Sequence, residues 1–245
     1  MGADTPAVAG PGEAGWLVDF SCRTLDIVGS AALLVVMAPL LCAIAIAVRL
    51  DSPGPAIYRQ QRIGRGRKPF TVYKFRSMGV GVTHDRHREF VLELIKGNPP
   101  RHSISSRDIA GEIESRDDPS DRSGDPPSYY KMMADPRVTR VGRLLRRSSF
   151  DELPQLWNVL RGDMSLVGPR PPIPYEVEHY QPEWFGRFTV KPGITGLWQI
   201  SGRSSVTFEE MIRLDIEYAH RRTLWLNLWI LARTVPAVVG ARGAW

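Results

Sequence analysis

Two adjacent acidic residues, Asp151 and Glu152, lie between a basic stretch ending at Arg147 and a Gly-Pro-Arg-Pro turn at residues 168–171. Arginine side chains neutralise phosphate oxygens, and a carboxylate beside them can attack phosphorus or hold a hard cation against the same phosphate. Neither role requires histidine or cysteine. The residue types and their spacing therefore predict a site that handles a phosphorylated substrate.

The acidic pair is predicted to stand at the start of a helix, because Pro154 fits the first turn of a helix but not its interior. The positive end of that helix would favour anions near Asp151. An isolated Asp-Glu-x-Pro is usually a plain N-cap followed by a first-turn acid. The flanking residues favour a site over a plain cap, and they include Arg143, Arg146, Arg147, Arg161 and Asp163.

The stretch RSSFDELPQLWNVLRGDMSLVGPRP resembles the signature of bacterial sugar transferases, the monotopic phosphoglycosyl transferases. The resemblance continues in SPGPAIYRQQRIGRGRKPFTVYKFRSM at 52–78, KPGITGLWQISGRS at 191–204 and LDIEYA at 214–219. It covers roughly residues 20–96 and 130–240. Several independent motifs in one order make a chance match a poor explanation.

The resemblance implies transfer of a sugar 1-phosphate from a UDP-sugar to polyprenyl (undecaprenyl) phosphate, with release of UMP. It makes Asp151 the nucleophile of a covalent phosphosugar intermediate, Glu152 its assisting carboxylate and Asp151 a ligand of Mg²⁺. Such a reaction initiates exopolysaccharide, O-antigen, capsule or glycoprotein glycan assembly. No motif discriminates between sugars.

The motifs also supply candidate contacts for substrate phosphates or the nucleotide. These are Lys74, Arg76, Arg146, Arg147, Asp163, Pro169, Arg170, Pro171, Gly193, Thr195, Gln199, Arg203 and Asp215. Asp215 lies on the apolar face of a helix predicted to begin with a capping box at Thr207 and Glu210. A carboxylate on such a face is either paired with an arginine or turned toward a site, and both readings stay open.

An uncharged segment at residues 27–48 spans 22 residues, long enough to reach across most of a bilayer, and it contains Pro39. Residues 49–78 carry a net charge of +7 (eight Arg or Lys against one Asp), whereas residues 1–26 carry −3 (four acids against one Arg). The basic flank is typical of the cytoplasmic side. A spanning helix is one reading, and a re-entrant helix broken near Pro39 is the one that the resemblance implies.

The predicted fold is mixed α/β, mainly helical, in a monotopic membrane protein with amphipathic interfacial helices. Residues 1–19 are predicted to be disordered and 20–50 to form the re-entrant helix. The rest, 51–245, is predicted to be a catalytic domain on the cytoplasmic face of the bacterial inner membrane, with a polar mobile insert at 97–128. Within it we expect a short strand in 69–78 and an interfacial or core helix at 224–239.

The overall charge of +6 favours anionic partners. We expect the partners to be the bilayer, the UDP-sugar, the lipid phosphate and a second copy of the chain in a homodimer. We expect no nucleic acid among them. Two alternatives remain, a membrane-tethered basic scaffold without catalysis and a glycosyltransferase that releases UDP. A basic patch predicted to face anionic lipid comprises Arg59, Arg62, Arg65, Arg67 and Lys68.

Overall fold

The computed structural model describes residues 13–79, 138–202 and 206–239, together with Leu92 and Ile95. Its helices are α1 (Glu13–Asp51), α2 (Arg140–Ser148), α3 (Gln155–Arg161), α4 (Pro174–Val177), α5 (Leu197–Ser201), α6 (Phe208–Arg221) and α7 (Leu224–Val239). Its strands are β1 (Ile57–Ile63), β2 (Pro69–Phe75), β3 (Ser165–Val167) and β4 (Gly193–Thr195). The mixed α/β, mainly helical class is confirmed, and the predicted insert at 97–128 lies outside the described residues.

Helix α1 begins earlier than predicted and continues across the proline. Residues 13–19 are helical, so the prediction of disorder is wrong for them, because Asp19 pairs with Arg222 and the Trp16 ring meets Phe20 edge-on at 6.2 Å. Pro39 lies inside the helix, at the position where a break is predicted. A proline removes one backbone donor and can bend a helix without ending it. The re-entrant course stays a prediction.

One face of α1 packs against the rest of the chain, and the other exposes apolar side chains. Asp26 and Ser30 are buried on the packed face before Pro39, and Ile44 and Val48 are buried on it after Pro39. The exposed apolar residues include Phe20, Val28, Val35, Val36, Ile46 and Leu50. Within the described ranges α1 is the one helix that is long and apolar enough to cross a membrane. Its composition suits association with a bilayer.

Two small sheets hold the segments that flank the acidic pair. Strands β1 and β2 form an antiparallel hairpin in which Tyr58 lies opposite Lys74, and the predicted strand in 69–78 is confirmed. Strands β3 and β4 pair in parallel. Asn158 of α3 joins helix to hairpin, since its side chain accepts from the Tyr73 amide at 3.1 Å and donates to the Thr71 carbonyl at 2.7 Å. This amide fixes Lys74 relative to α3.

The core lies where β2, α3, β3, α6 and α7 meet. It is built around fully buried Val159, Met164 and Ile230. A second cluster is aromatic and joins the 3-10 helix Pro182–Thr189 to α6. Thr207 caps α6 by accepting from the Glu210 amide at 3.2 Å, which confirms the predicted helix start.

Candidate active site

The acidic pair stands on a short turn in front of α3. Ser149 has a left-handed backbone (φ 57°), and Phe150–Glu152 then form one turn of 3-10 helix. The regular helix starts only at Gln155, with Pro154 at its cap. The prediction of a helix beginning near Asp151 is therefore correct for the turn but early for the α-helix, because Ser149 first reverses the chain at the end of α2.

Glu152 is held by a cation from the hairpin. The Lys74 ammonium lies 2.7 Å from the Glu152 carboxylate, and both side chains are partly exposed. Burial alone would raise the pKa of Glu152, but Lys74, Arg170 and Arg62 together lower it below its ordinary value. Glu152 is thus ionised. Its charge is stabilised by cations from β2, from β1 and from the Gly-Pro-Arg-Pro segment.

The pKa of Asp151 shifts in the opposite direction to that of Glu152. Burial, followed by the adjacent charge of Glu152, raises the pKa of Asp151 to about 6, and Lys74 and Arg146 offset this only in part. Two neighbouring carboxylates resist joint ionisation unless cations compensate them. The pair therefore attracts a further positive charge and can present a carboxylate oxygen to an electrophile.

The segment 169–172 is fixed by hydrogen bonds to four consecutive carbonyl oxygens. The amide of Gly193 donates to the carbonyl of residue 169 at 2.9 Å, and Arg187 donates to that of Arg170 at 2.8 Å. Arg62 donates to the carbonyl of Pro171 at 2.9 Å, and the Ile63 amide donates to that of residue 172 at 3.0 Å. Three separate parts of the fold thereby set where the Arg170 side chain begins.

Sequence reasoning missed Glu176, which is 1% exposed and follows this segment. Its carboxylate lies 3.9 Å from the Arg170 guanidinium, and within the described ranges neither of its oxygens accepts a hydrogen bond. From the sequence it looks like an ordinary first-turn acid of α4. Only its burial beside Arg170 distinguishes it.

Two glycines allow close packing behind the site. A Cβ at Gly193 would lie 2.0 Å from the Gly168 amide nitrogen, so any larger residue would separate β3 from β4. Thr195 uses its hydroxyl in a 2.8 Å contact with Thr234 of α7, and the Gln199 amide donates to the Ile194 carbonyl at 3.3 Å. These residues shape the segment that carries Pro169 and Pro171.

The arginines of α2 are placed differently from one another. Arg146 donates to the Ser77 hydroxyl at 3.0 Å and acts electrostatically on Asp151. Arg147 is exposed on the same helix. Arg203 lies outside the described residues.

Two predicted substrate contacts, Arg76 and Asp163, have structural partners. Arg76 is buried and donates to the carbonyls of Pro53 at 2.9 Å and Ser52 at 2.6 Å, because β2 ends at Phe75 and the chain turns to the end of α1. Asp163 lies beyond the far end of α3, where it contacts Arg161 at 3.5 Å. We assign both to the framework rather than to substrate.

Asp215 is paired with an arginine, one of the two readings left open by the sequence. Its carboxylate accepts from Arg187, and both side chains are 1% exposed. Arg187 also donates to the Tyr180 hydroxyl at 2.6 Å and to the Arg170 carbonyl. Asp215 therefore acts on the site through Arg187 and directly on Arg170.

The basic patch is smaller than predicted, because Arg62 is buried and donates to Gln60 at 2.7 Å as well as to Pro171. Arg59, Arg65, Arg67 and Lys68 are exposed. The remaining patch follows the hairpin and its turn.

The donor set of the acidic pair suits Mg²⁺. Magnesium is bound by one or two carboxylates together with substrate phosphates and water, and it needs no cage of protein ligands. Within the ranges that the structure describes, no group of three or more His, Cys, Asp and Glu residues is arranged to hold a metal. Asp151 and Glu152 thus fit a hard cation shared with a phosphorylated ligand.

Comparison with known proteins places these features in one family. The chain is 39% identical over 226 residues to the undecaprenyl-phosphate galactose phosphotransferase of Salmonella typhimurium, covering 92% of this chain and 42% of the relative. It is 38% identical over 236 residues to the UDP-glucose:undecaprenyl-phosphate glucose-1-phosphate transferase of Caulobacter vibrioides, covering 93% of this chain and 73% of the relative. The exopolysaccharide production protein ExoY of Rhizobium meliloti is 34% identical, with 91% and 87% covered.

The chain spans less than half the length of the Salmonella relative. The family model described as bacterial sugar transferase matches residues 18–241, from near the start of α1 through α7. That range contains the acidic pair, Lys74 and the fixed segment 169–172. The chain belongs to the bacterial sugar transferase family.

Proposed function

We propose that this chain is a phosphoglycosyl transferase that moves a sugar 1-phosphate from a UDP-sugar to a polyprenyl phosphate. The names of the relatives describe phosphotransfer to undecaprenyl phosphate, with galactose or glucose 1-phosphate as the group moved. The observation that carries the proposal is the incompletely compensated Asp151 beside an ionised Glu152. A nucleophilic carboxylate flanked by Lys74 and Arg146 is what phosphoryl transfer at this position requires.

In the first step an oxygen of Asp151 attacks the phosphorus bonded to the sugar. The bond from that phosphorus to the UMP phosphate oxygen breaks, and UMP leaves with the bonding electrons. In the second step an oxygen of the lipid phosphate attacks the same phosphorus, and the bond to Asp151 breaks. One phosphoanhydride is exchanged for another, so no ATP is consumed.

The cations around the acidic pair would stabilise the negative charges of the reaction. The Lys74 ammonium lies 2.7 Å from the Glu152 carboxylate and keeps it ionised. An ionised Glu152 is suited to orienting other groups rather than to donating a proton. Arg170 and Arg146 neutralise charge that develops on the diphosphate. Asp151 and Glu152 would hold Mg²⁺, which when bound withdraws negative charge from the leaving phosphate.

The membrane course that we propose is re-entrant. Before Pro39, Asp26 accepts from Ser165 at 2.9 Å and from the Leu166 amide at 2.8 Å. After Pro39, Asp51 accepts from the Val141 amide at 2.9 Å. Because both halves of α1 bind the same domain, a helix that carried its two ends to opposite sides of a bilayer would have to lose one set of contacts. The basic hairpin supports the cytoplasmic face of the inner membrane as the site of catalysis.

The test supplies purified protein with a UDP-sugar and no lipid acceptor. We expect one UMP per active chain and a phosphosugar adduct on the peptide that contains Asp151, identified by mass spectrometry after quenching. Undecaprenyl phosphate added afterwards should remove the adduct and form the lipid product. Asp151→Asn is the matched control and should give neither UMP nor adduct.

Release of UDP in place of UMP would establish the glycosyltransferase alternative. Absence of any nucleotide release with UDP-glucose, UDP-galactose and their N-acetylated forms, in protein that retains its melting temperature, would favour the scaffold. An adduct on another residue would remove Asp151 as the nucleophile.

A further inference from the structure

A polar cavity lies at the beginning of α1, away from the acidic pair. It has a volume of about 240 Å³ and is lined by the cations Arg23, Arg65, Lys191 and Arg222 and the acids Asp19 and Asp26. We call it the basic cavity.

The basic cavity and the acidic pair stand at opposite ends of α3. Arg23 donates to the carbonyls of Val159 at 2.6 Å and Leu160 at 2.8 Å, which lie at the C-terminal end of that helix. Asp151 precedes its N-terminal end. Seven helical residues separate the two places by about 10 Å.

The two acids of the basic cavity are already committed to other groups. Asp26 accepts from Ser165 and from the Leu166 amide. Asp19 pairs with Arg222 and lies 3.9 Å from Arg65. Four cations against two acids leave the lining with a net charge of +2.

Lys191 carries the least compensated of these charges. Within the described part of the chain, its ammonium forms no hydrogen bond or ion pair. Its position is firm, because the residues after it enter β4 and the neighbouring carbonyl of Pro192 accepts from the Ser165 amide at 2.8 Å. Burial and the charge of Arg23 lower the pKa of Lys191, while Asp26 offsets this only in part. An anion in the cavity would relieve this repulsion.

The surroundings of the cavity indicate where that anion comes from. On α1, Trp16 and Phe20 are 55% and 65% exposed, and they lie three residues before the lining residues Asp19 and Arg23, respectively. On α7, Trp225 is 78% exposed and follows Arg222 in the chain. Exposed tryptophans of this kind sit at the headgroup level of a membrane. The basic cavity therefore opens beside side chains suited to that level.

We propose that the basic cavity binds the phosphate group of an anionic membrane phospholipid, with Lys191 and Arg65 as the principal contacts. Arg65 is the natural partner of Lys191, since its side chain is 50% exposed and its distance to Asp19 is long. The lipid would anchor the start of α1 to the C-terminal end of α3. This site is separate from the reacting phosphates and does not depend on the proposed reaction.

The test titrates detergent-purified protein with phosphatidylglycerol or phosphatidylcholine and counts bound lipids by native mass spectrometry. We expect the wild type to prefer phosphatidylglycerol by at least about tenfold, in line with one or two charge-assisted hydrogen bonds. Lys191→Gln and Arg65→Gln should each remove most of this preference. Lys68→Gln removes the same charge from the turn that carries Arg65, but outside the cavity, and should retain it.

Three outcomes would overturn the proposal. The first is an equal preference in wild type and in Lys191→Gln protein that keeps its melting temperature. The second is a loss in Lys68→Gln as large as in Arg65→Gln, which would show diffuse attraction to the surface. The third is displacement of the lipid by inorganic phosphate at equal concentration, which would make a free anion the ligand.

Discussion

Asp151 and Asp215 have similar acidities and opposite surroundings. Burial raises the pKa of each to about 6. Asp215 is 1% exposed and bonded to Arg187, which works against the shift. Asp151 is partly exposed on a turn, and its neighbour Glu152 works in the same direction as burial.

The difference shows that a shifted pKa does not by itself identify a reacting group. The carboxylate of Asp215 is paired with Arg187, and Arg187 in turn donates to the carbonyl of Arg170. Asp151 can offer its charge to a ligand. Contacts, rather than acidity, separate the proposed nucleophile from the supporting carboxylate.

The largest expected effect follows from exchanging the same oxygen for nitrogen at both positions. Asp151→Asn should lower turnover by about 10⁴-fold or more, because it removes the proposed attacking group. Asp215→Asn should lower turnover by no more than about tenfold, because the amide oxygen can still accept from Arg187. UMP release by both purified variants checks this. Equal losses in two well-folded variants would abolish the distinction.

Removing the arginine of the buried pair should affect stability more than any change at the acidic pair. Arg187→Met leaves the Asp215 charge buried without its partner and releases Tyr180 and the Arg170 carbonyl. We expect the free energy of unfolding to fall by about 3–5 kcal/mol. Thermal unfolding in detergent micelles measures it, with Arg213→Met on the exposed side of α6 as control. A loss no greater than that of the control would mean that Asp215 is satisfied elsewhere.

Lys74, the cation that pairs with Glu152, should matter more for catalysis than for folding. Lys74→Met leaves Glu152 without its 2.7 Å partner. We expect kcat/KM to fall by about 10²-fold, since one preorganised charge near the diphosphate is lost. Arg59→Met, a cation on the facing strand of the hairpin, should stay within about threefold of wild type. A Lys74 variant of full activity would remove this residue from the site.

Asp215 should make its own contribution to the pH dependence of stability, beside that of Asp151. Its pKa is raised to about 6 in the folded chain, against a usual 3.8. The folded state therefore binds an extra proton between these values, and stability falls as pH rises from about 4 to about 6, by up to about 3 kcal/mol. The difference between wild type and Asp215→Asn isolates this contribution. A difference that is flat across the window, or that rises with pH, would contradict it.

Much of the fold could be predicted from composition and punctuation. The uncharged run predicts α1, the alternation in 69–78 predicts β2, and Thr207 marks the start of α6. Each signal is local, because it depends on residues within a few turns of one another. The pairing of Lys74 with Glu152 could not be predicted in this way, and the family resemblance supplied only Lys74 as a candidate contact for substrate.

The arginines show where sequence reasoning stops. Arg76 lies two residues after Lys74 and would share its face in a longer strand, but β2 ends between them. Arg62 looks like part of a surface patch, yet it is buried under Pro171. Whether an arginine meets water, a carbonyl or a ligand depends on segments distant in the chain, and no spacing rule contains that information.

Helix α1 has a practical consequence for handling this protein. Arg76 donates to Ser52 at the end of α1, and Phe75 and Leu145 form a cluster with Ile44 and Val48. A chain cut after residue 51 to obtain a detergent-free catalytic fragment would uncover that cluster. We expect such a fragment to aggregate, since the apolar helix α1 forms part of the core of the enzyme and is not only a membrane anchor.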